Sequence, residues 1–130
     1  MISITTKSPY ALKALTELAL AGDAAPVPIG ELAKRREIPV QFLEQLFATL
    51  RRSGILSSQR GVKGGYSFAR SAAEVTVLEV VEILDGPLGR DGEGIFAEAV
   101  LAAREVLGGT TIAEIAERER AAGTPAMYYI

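Results

Sequence analysis

The sequence predicts a mainly α-helical fold with a small β-hairpin wing: a winged helix-turn-helix domain followed by a long C-terminal dimerisation helix. Three observations lead there. Apolar residues recur at helical spacing in six stretches. Two short strand-like runs, Ile55–Gln59 and Tyr66–Ala69, flank the glycine-rich turn Arg60-Gly61-Val62-Lys63-Gly64-Gly65. The two helices before that hairpin are separated only by a short turn at Ile38-Pro39, the pattern of a helix-turn-helix.

The elements follow in order. Ser8-Pro9 reads as an N-cap with proline at the first helical position, and Ala11, Leu12, Leu15, Leu18 and Ala19 mark the buried face of a first helix closed by Gly22. Asp23 to Pro28 reads as a loop. A second, short helix from about Ile29 to Arg36 turns Ile29, Leu32 and Ala33 inward and Lys34, Arg35 and Arg36 outward. In the third, Phe42, Leu43, Leu46, Phe47 and Leu50 form one apolar stripe, with Gln41, Glu44, Gln45, Thr49, Arg51 and Arg52 on the other side and Gly54 as the stop. Tyr66 and Phe68 alternate with small residues and are expected to pack the hairpin on the core.

Beyond the hairpin, Thr76-Val77-Leu78-Glu79 is a capping box opening a fourth helix with Val77, Leu78, Val80, Val81, Ile83 and Leu84 as its apolar residues. Asp85-Gly86-Pro87 ends it, and Leu88 to Gly94 is a glycine-rich connection without the spacing of a nucleotide-binding loop. Ile95, Phe96, Ala99, Val100, Ala103, Val106 and Leu107 form the stripe of a fifth helix ended by Gly108-Gly109. A second box, Thr111-Ile112-Ala113-Glu114, starts a last helix ending near Ala122. Residues 1–88 are thus read as the winged helix-turn-helix domain, and 89–130 as dimerisation helix, final short helix and tail. The fifth stripe lies outside the compact unit, and a second copy of itself is its simplest partner; the competing expectation is that it folds back on its own domain. The tail, Met127-Tyr128-Tyr129-Ile130, is apolar enough to dock on the body or on a partner.

Composition narrows the function. With 48% hydrophobic and 23% charged residues the chain is expected to fold, and no apolar run approaches the ~18 residues of a membrane span. The amino terminus lacks a signal-peptide pattern, so a cytoplasmic protein is expected. There is no cysteine and no histidine. That removes thiolate and imidazole metal sites and the commonest nucleophile and general base, which counts against an enzyme. The net charge of −2 hides a division: residues 1–70 carry ten Lys and Arg against five Asp and Glu, residues 71–130 four against eleven. A basic half of +5 beside an acidic half of −7 suggests that only the first faces a polyanion.

An amide-rich helix face beside a basic hairpin is the layout of a DNA reader, with the helix in the major groove and the wing on phosphates or in the minor groove. Gln41, Glu44 and Gln45 are the candidate base readers, though such residues crowd every helix surface. Arg60 and Lys63 are candidate wing contacts that could also be solubilising tip charges. Arg51 and Arg52 could serve phosphate or merely complement their helix dipole. The competing class is a winged-helix interaction module that bridges proteins and never reads bases.

These residues resemble the Rrf-two family of IscR-type winged-helix regulators of bacteria, closely over positions 4 to 88 and loosely beyond. The likeness rests on Lys7 with Tyr10-Ala11-Leu12, on Leu43-Glu44-Gln45-Leu46 followed by Leu50-Arg51-Arg52 and Gly54, on Arg60-Gly61 with Gly64-Gly65-Tyr66, and on Asp85-Gly86-Pro87-Leu88. It implies a dimeric transcription regulator, expected to be a repressor, on a near-palindromic duplex site. It places Gln41, Glu44 and Gln45 on the base-reading surface and Arg60 on the wing. With the motif positions Lys7, Tyr10, Gly64 and Gly65, and with Arg51, Arg52 and Lys63, these make up the expected DNA-contacting set. The family often has Gly-Arg where this chain has Ser8-Pro9, which removes a phosphate contact from the first helix. Many members carry three cysteines for an iron–sulfur cluster between the fourth and fifth helices; this chain has none. It therefore resembles the clusterless members, with no cofactor, whose effector is another small molecule or a partner protein.

Overall fold

Glycine or proline stands at or next to most of the helix ends. The computed structural model describes residues 6–89 and 93–123. In chain order the elements are α1 (Lys7–Ala21), α2 (Ile29–Arg36), α3 (Val40–Arg52), β1 (Leu56–Gln59), β2 (Gly65–Phe68), α4 (Val77–Asp85), α5 (Ile95–Gly108) and α6 (Ile112–Ala122). None of the described helices is long and apolar enough to cross a membrane.

Helix α1 departs from the expected cap. It begins at Lys7, and Ser8 lies inside its first turn, wholly buried, with its hydroxyl donating to the Asp85 carboxylate at the end of α4. Because the helix starts one residue earlier, Ser8 is past the cap position, and its hydroxyl donates to that carboxylate instead of accepting from a backbone N–H, tying α1 to α4. Pro9 still falls within the first turn, where no backbone N–H is needed. Helix α2 ends on Glu37, whose φ of 55° makes it the one described non-glycine residue in the left-handed region. Its N–H bonds back to Ala33 and Lys34, closing the turn, and Ile38 is buried behind it before Pro39 leads into α3. Glycine tolerates that backbone without a Cβ penalty. Glu37→Gly is expected to raise stability by on the order of 1 kcal/mol, read as a higher urea midpoint at unchanged slope.

At the end of α3 the Gly54 N–H bonds to the Arg51 carbonyl (3.0 Å) and the Ile55 N–H to the Leu50 carbonyl (3.1 Å). With Gly54 at φ 83°, this is a Schellman turn that drops Ile55 and Leu56 straight into the core. The hairpin pairs antiparallel, Leu56 with Phe68 through Gln59 with Gly65. A segment read as plain loop joins it: Val27 is buried and exchanges both backbone hydrogen bonds with Tyr66, at 2.9 and 2.8 Å. The outer edge of β2 is thereby covered, and the wing is anchored from both sides. Tyr66 also packs edge-on against the buried ring of Phe47, centroids 5.1 Å apart.

The core is built from Leu15, Leu32, Leu43, Phe47, Leu50, Ile55, Val75, Val80 and Ile112, all fully enclosed, and so draws on α1 to α4 and α6. Thr76 forms its complete capping box, whereas Thr111 accepts from the Glu114 N–H. The two threonines pair as a bridge, so α4 and α6 start side by side. Helix α6 then lays Ile112, Ile115, Ala116 and Glu119 inward and returns to pack on α1.

Arg36 overturns the outward reading of α2. Lys34 and Arg35 are exposed, but the Arg36 side chain is only 8% exposed. Its Nε donates to Glu17 on α1 (2.8 Å) and its Nη2 to Glu119 on α6 (3.0 Å). Two carboxylates converging from neighbouring helices draw the guanidinium in.

The stripe of α5 divides. Val100 is buried against the segment around Gly89, Leu107 packs half-buried on the core, and Ala103 is half-buried. Arg104 fixes that side by pairing with Glu82 (2.7 Å). Ile95, Phe96, Leu101 and Val106 are each more than three-fifths exposed, and Ala99 and Ala102 lie open with them. Val100, Ala103 and Leu107 thus belong to the body. A sharper outward seam remains at Ile95, Ala99, Ala102 and Val106, spaced four, three and four residues apart. The expected tail at Met127–Ile130 and residues 90–92 of the connection lie outside the described residues.

Candidate nucleic-acid interface

Burial on one side of α3 settles what the other side presents. Leu43, Leu46, Phe47 and Leu50 are inside, so Gln41, Glu44 and Gln45 stand exposed together with Arg51 and Arg52. Phe42 is half-buried and meets the Tyr10 ring edge-on at 5.6 Å, while the Lys13 ammonium sits 5.5 Å over that ring. Tyr10, expected among the contact residues, is half-buried and packs on the start of α3. Lys7 is exposed at the start of α1. The structure brings Gln41, Glu44, Gln45, Arg51 and Arg52 onto one helix and places the wing beside its C-terminal end.

The wing is coupled to that helix. Arg51 Nη1 donates to the Ser58 hydroxyl on β1 (3.4 Å), and Arg52 Nη2 to the Thr49 hydroxyl (3.2 Å). Gly64 and Gly65 have backbone reasons for being glycine. A Cβ at Gly64 would lie 2.1 Å from the Gln59 carbonyl oxygen, and one at Gly65 would lie 2.3 Å from the Val27 carbonyl carbon, at a φ of 151°. Both let the hairpin close and rest on the Val27 segment. Arg60 and Lys63 are carried on the exposed tip that precedes them. Sequence reasoning passed over Val62, which is fully exposed at the same tip; its only signal is an aliphatic residue inside a glycine-rich turn.

Ion pairing neutralises most of the arginines away from this face. Arg35, Arg36, Arg70, Arg104 and Arg120 all pair with carboxylates. Arg70, at the foot of the wing, donates to Glu79 at 2.6 Å, and that hydrogen bond holds the Glu79 carboxyl below the usual carboxylate range. Among the described residues no carboxylate pairs with Arg51, Arg52, Arg60 or Lys63. Four uncompensated cations around an exposed amide-rich helix suit a polyanion with readable edges.

An iron–sulfur cluster does not fit the residues present. Such clusters are held by thiolates, with histidine as the substitute, and the chain has neither. Among the described residues no three His, Cys, Asp or Glu are grouped to hold a metal. Between α4 and α5 lies a cleft lined by Glu82, Pro87, Leu88, Val100, Leu101 and Arg104, whose one carboxylate is engaged by Arg104 and by the Leu88 N–H.

Known proteins share this arrangement. Residues 4–93 match the family model described as Rrf2, an iron-dependent transcriptional regulator. The transcriptional regulator IscR of Escherichia coli is 40% identical over 82 residues, which is 63% of this chain and 51% of that protein. The chain thus spans about half the length of that curated relative. Two solved structures superpose over most of their length. IscR of T. potens has a TM-score of 0.83 at 30% identity, covering 98% of this chain and 97% of that one. CymR, the global cysteine regulator of B. subtilis, has a TM-score of 0.82 at 29% identity, covering 91% and 98%. The fold is the winged helix of these regulators, and the chain belongs to the Rrf2 family of transcriptional regulators.

Proposed function

We propose that the chain binds duplex DNA as a homodimer, with α3 in the major groove and the wing against the backbone or in the minor groove, and that it represses a promoter carrying a near-palindromic site. The observation that carries this is the exposed Gln41, Glu44 and Gln45 face set beside Arg51, Arg52, Arg60 and Lys63, four cations without an ion pair among the described residues. Family membership supports the class. The unpartnered seam Ile95, Ala99, Ala102 and Val106 supports the dimer: its alternating spacing of three and four is that of paired helices, and its two alanines let a second α5 approach closely. The regulator works without a cluster, so its signal is another small molecule or a partner protein. The reading that competes is an interaction module that does not read bases.

The two parts of the site are expected to fail differently. Arg60→Ala removes a cation that sits near phosphates; it weakens binding across all sequences and makes the salt slope shallower by about 0.9 per lost contact in each subunit. Glu44→Ala removes no positive charge. It relaxes preference at one position of each half-site by about 1–3 kcal/mol and leaves the salt slope in place. The measurement is a salt titration of both variants on a site selected from a random duplex library and on its single-base variants. If wild-type protein selects no site and binds without salt dependence, the interaction-module reading holds instead.

A further inference from the structure

Nothing in the fold calls for valine at position 62. The residue stands at the corner of the wing turn, which the Gly64 N–H closes onto the Gly61 carbonyl at 3.0 Å, and its relative exposure is 104%. Turn corners favour Pro, Asp, Asn or Ser, for reasons of backbone shape and local hydrogen bonding. A β-branched aliphatic side chain supplies neither, and here it packs against nothing. Single exposed aliphatic residues are ordinary elsewhere on a surface. This one occupies the outermost point of a hairpin between two unpaired cations, Arg60 and Lys63.

The tip also rises from a close-packed base. Gly64 lies so close to the Gln59 carbonyl that no Cβ fits, Gly65 rests on the Val27 backbone, and Tyr66 is hydrogen-bonded to Val27 in both directions. What projects from that base is an isopropyl group flanked by positive charge. The flanking cations suit the phosphate walls of a groove, which leaves the aliphatic tip facing its floor and sugar edges. In the minor groove the G·C pair differs from A·T by the guanine amino group, a donor that stands in the groove. An isopropyl group can neither accept from that donor nor share its space, so it penalises G·C.

We infer that Val62 is a specificity-determining residue of the wing, entering the minor groove beside each half-site and selecting A·T over G·C there. The inference rests on the DNA-binding function proposed above. Its test uses a duplex that the protein selects from a random library, with each flanking A·T pair replaced in turn by G·C and by inosine·C. Inosine lacks the guanine amino group, so its pair looks like A·T in the minor groove and like G·C in the major. At one flanking position per half-site, G·C is expected to weaken wild-type binding about tenfold and inosine·C to restore it. Val62→Ser, whose hydroxyl can accept from the amino group, should shrink that discrimination to about twofold while leaving the salt slope unchanged. The side chain touches nothing, so the variant folds as the wild type does. The inference is overturned if inosine·C binds as poorly as G·C, if no flanking position matters, or if Val62→Ser keeps the discrimination. If Glu44→Ala still alters base preference in that case, the DNA-binding reading stands and only the role of Val62 falls. Wild-type protein that selects no site overturns both.

Discussion

Arg36→Ala is expected to destabilise the protein by about 3–5 kcal/mol, the range for removing one partner from a buried charge network. Arg36 joins three helices through two carboxylates, Glu17 on α1 and Glu119 on α6. Glu17 keeps Arg35 as a second partner at 3.3 Å, but among the described residues no other cation pairs with Glu119. Its side chain is 3% exposed, and its Oε1 is already buried without a hydrogen bond, as is Nη1 of Arg36. The variant leaves that carboxylate stranded.

The same site gives the loss a pH signature. Burial pushes the Glu119 carboxyl above the usual carboxylate range, even against the opposing pull of Arg36. A carboxyl whose folded pKa is raised holds its proton more tightly when folded than when unfolded. Its contribution is therefore fully present below the unfolded pKa and is lost as pH rises through the folded one. Without Arg36 the opposing pull is gone, so the pKa rises further and the loss continues to higher pH. Urea unfolding should show Arg36→Ala less destabilised at about pH 5 than at about pH 8. Replacing Arg36 by Met and Glu119 by Leu together should recover most of the stability, because no charge is then left buried. A single variant equally unstable at both pH values would mean that lost packing, not a stranded charge, sets the cost.

The second large effect is expected at the α5 seam. Ala99→Glu with Ala102→Glu puts like charges on an outward face whose neighbours, Ile95 and Val106, are 69% and 67% exposed. Both alanines point away from the core, so the fold should survive and only the association of copies should suffer. Sedimentation should show monomers at concentrations where the wild type is dimeric. Two half-sites bound by linked subunits gain on the order of 10²–10⁴ in apparent affinity over separate ones, and the variant should lose a gain of that order on its selected duplex. The control is Ala103→Glu. That residue is half-buried, so its substitution should lower stability as well as association. An unchanged dimer in the Ala99, Ala102 variant would locate the interface elsewhere.

Much of the candidate site was legible because it is built from local rules. The stripe Leu43, Leu46, Phe47 and Leu50 fixes which side of α3 is inside, and the opposite side is then Gln41, Glu44 and Gln45 whatever the rest of the chain does. Gly54 at φ 83° and the five-residue tip between Gln59 and Gly65 are set by backbone sterics within a few residues. The absence of cysteine and histidine removes an iron–sulfur ligand set from composition alone.

Tertiary structure decided the rest, and in each case the partner lies far along the chain. Arg36 belongs to a helix whose neighbouring cations face solvent; what buries it is Glu119, 83 positions away. Ser8 has the look of a cap, and Asp85, 77 positions away, takes its hydroxyl instead. Val27 reads as loop until Tyr66 offers it two backbone hydrogen bonds. The α5 stripe carries no mark of which residues meet α4 and which stay open, because both sets are apolar and only packing sorts them. Helical period, capping and turn chemistry act over about four residues, so sequence alone determined the elements and their faces. Which charge is neutralised, and which apolar face remains uncovered, depends on the elements brought alongside, and that is settled only when the whole chain is packed.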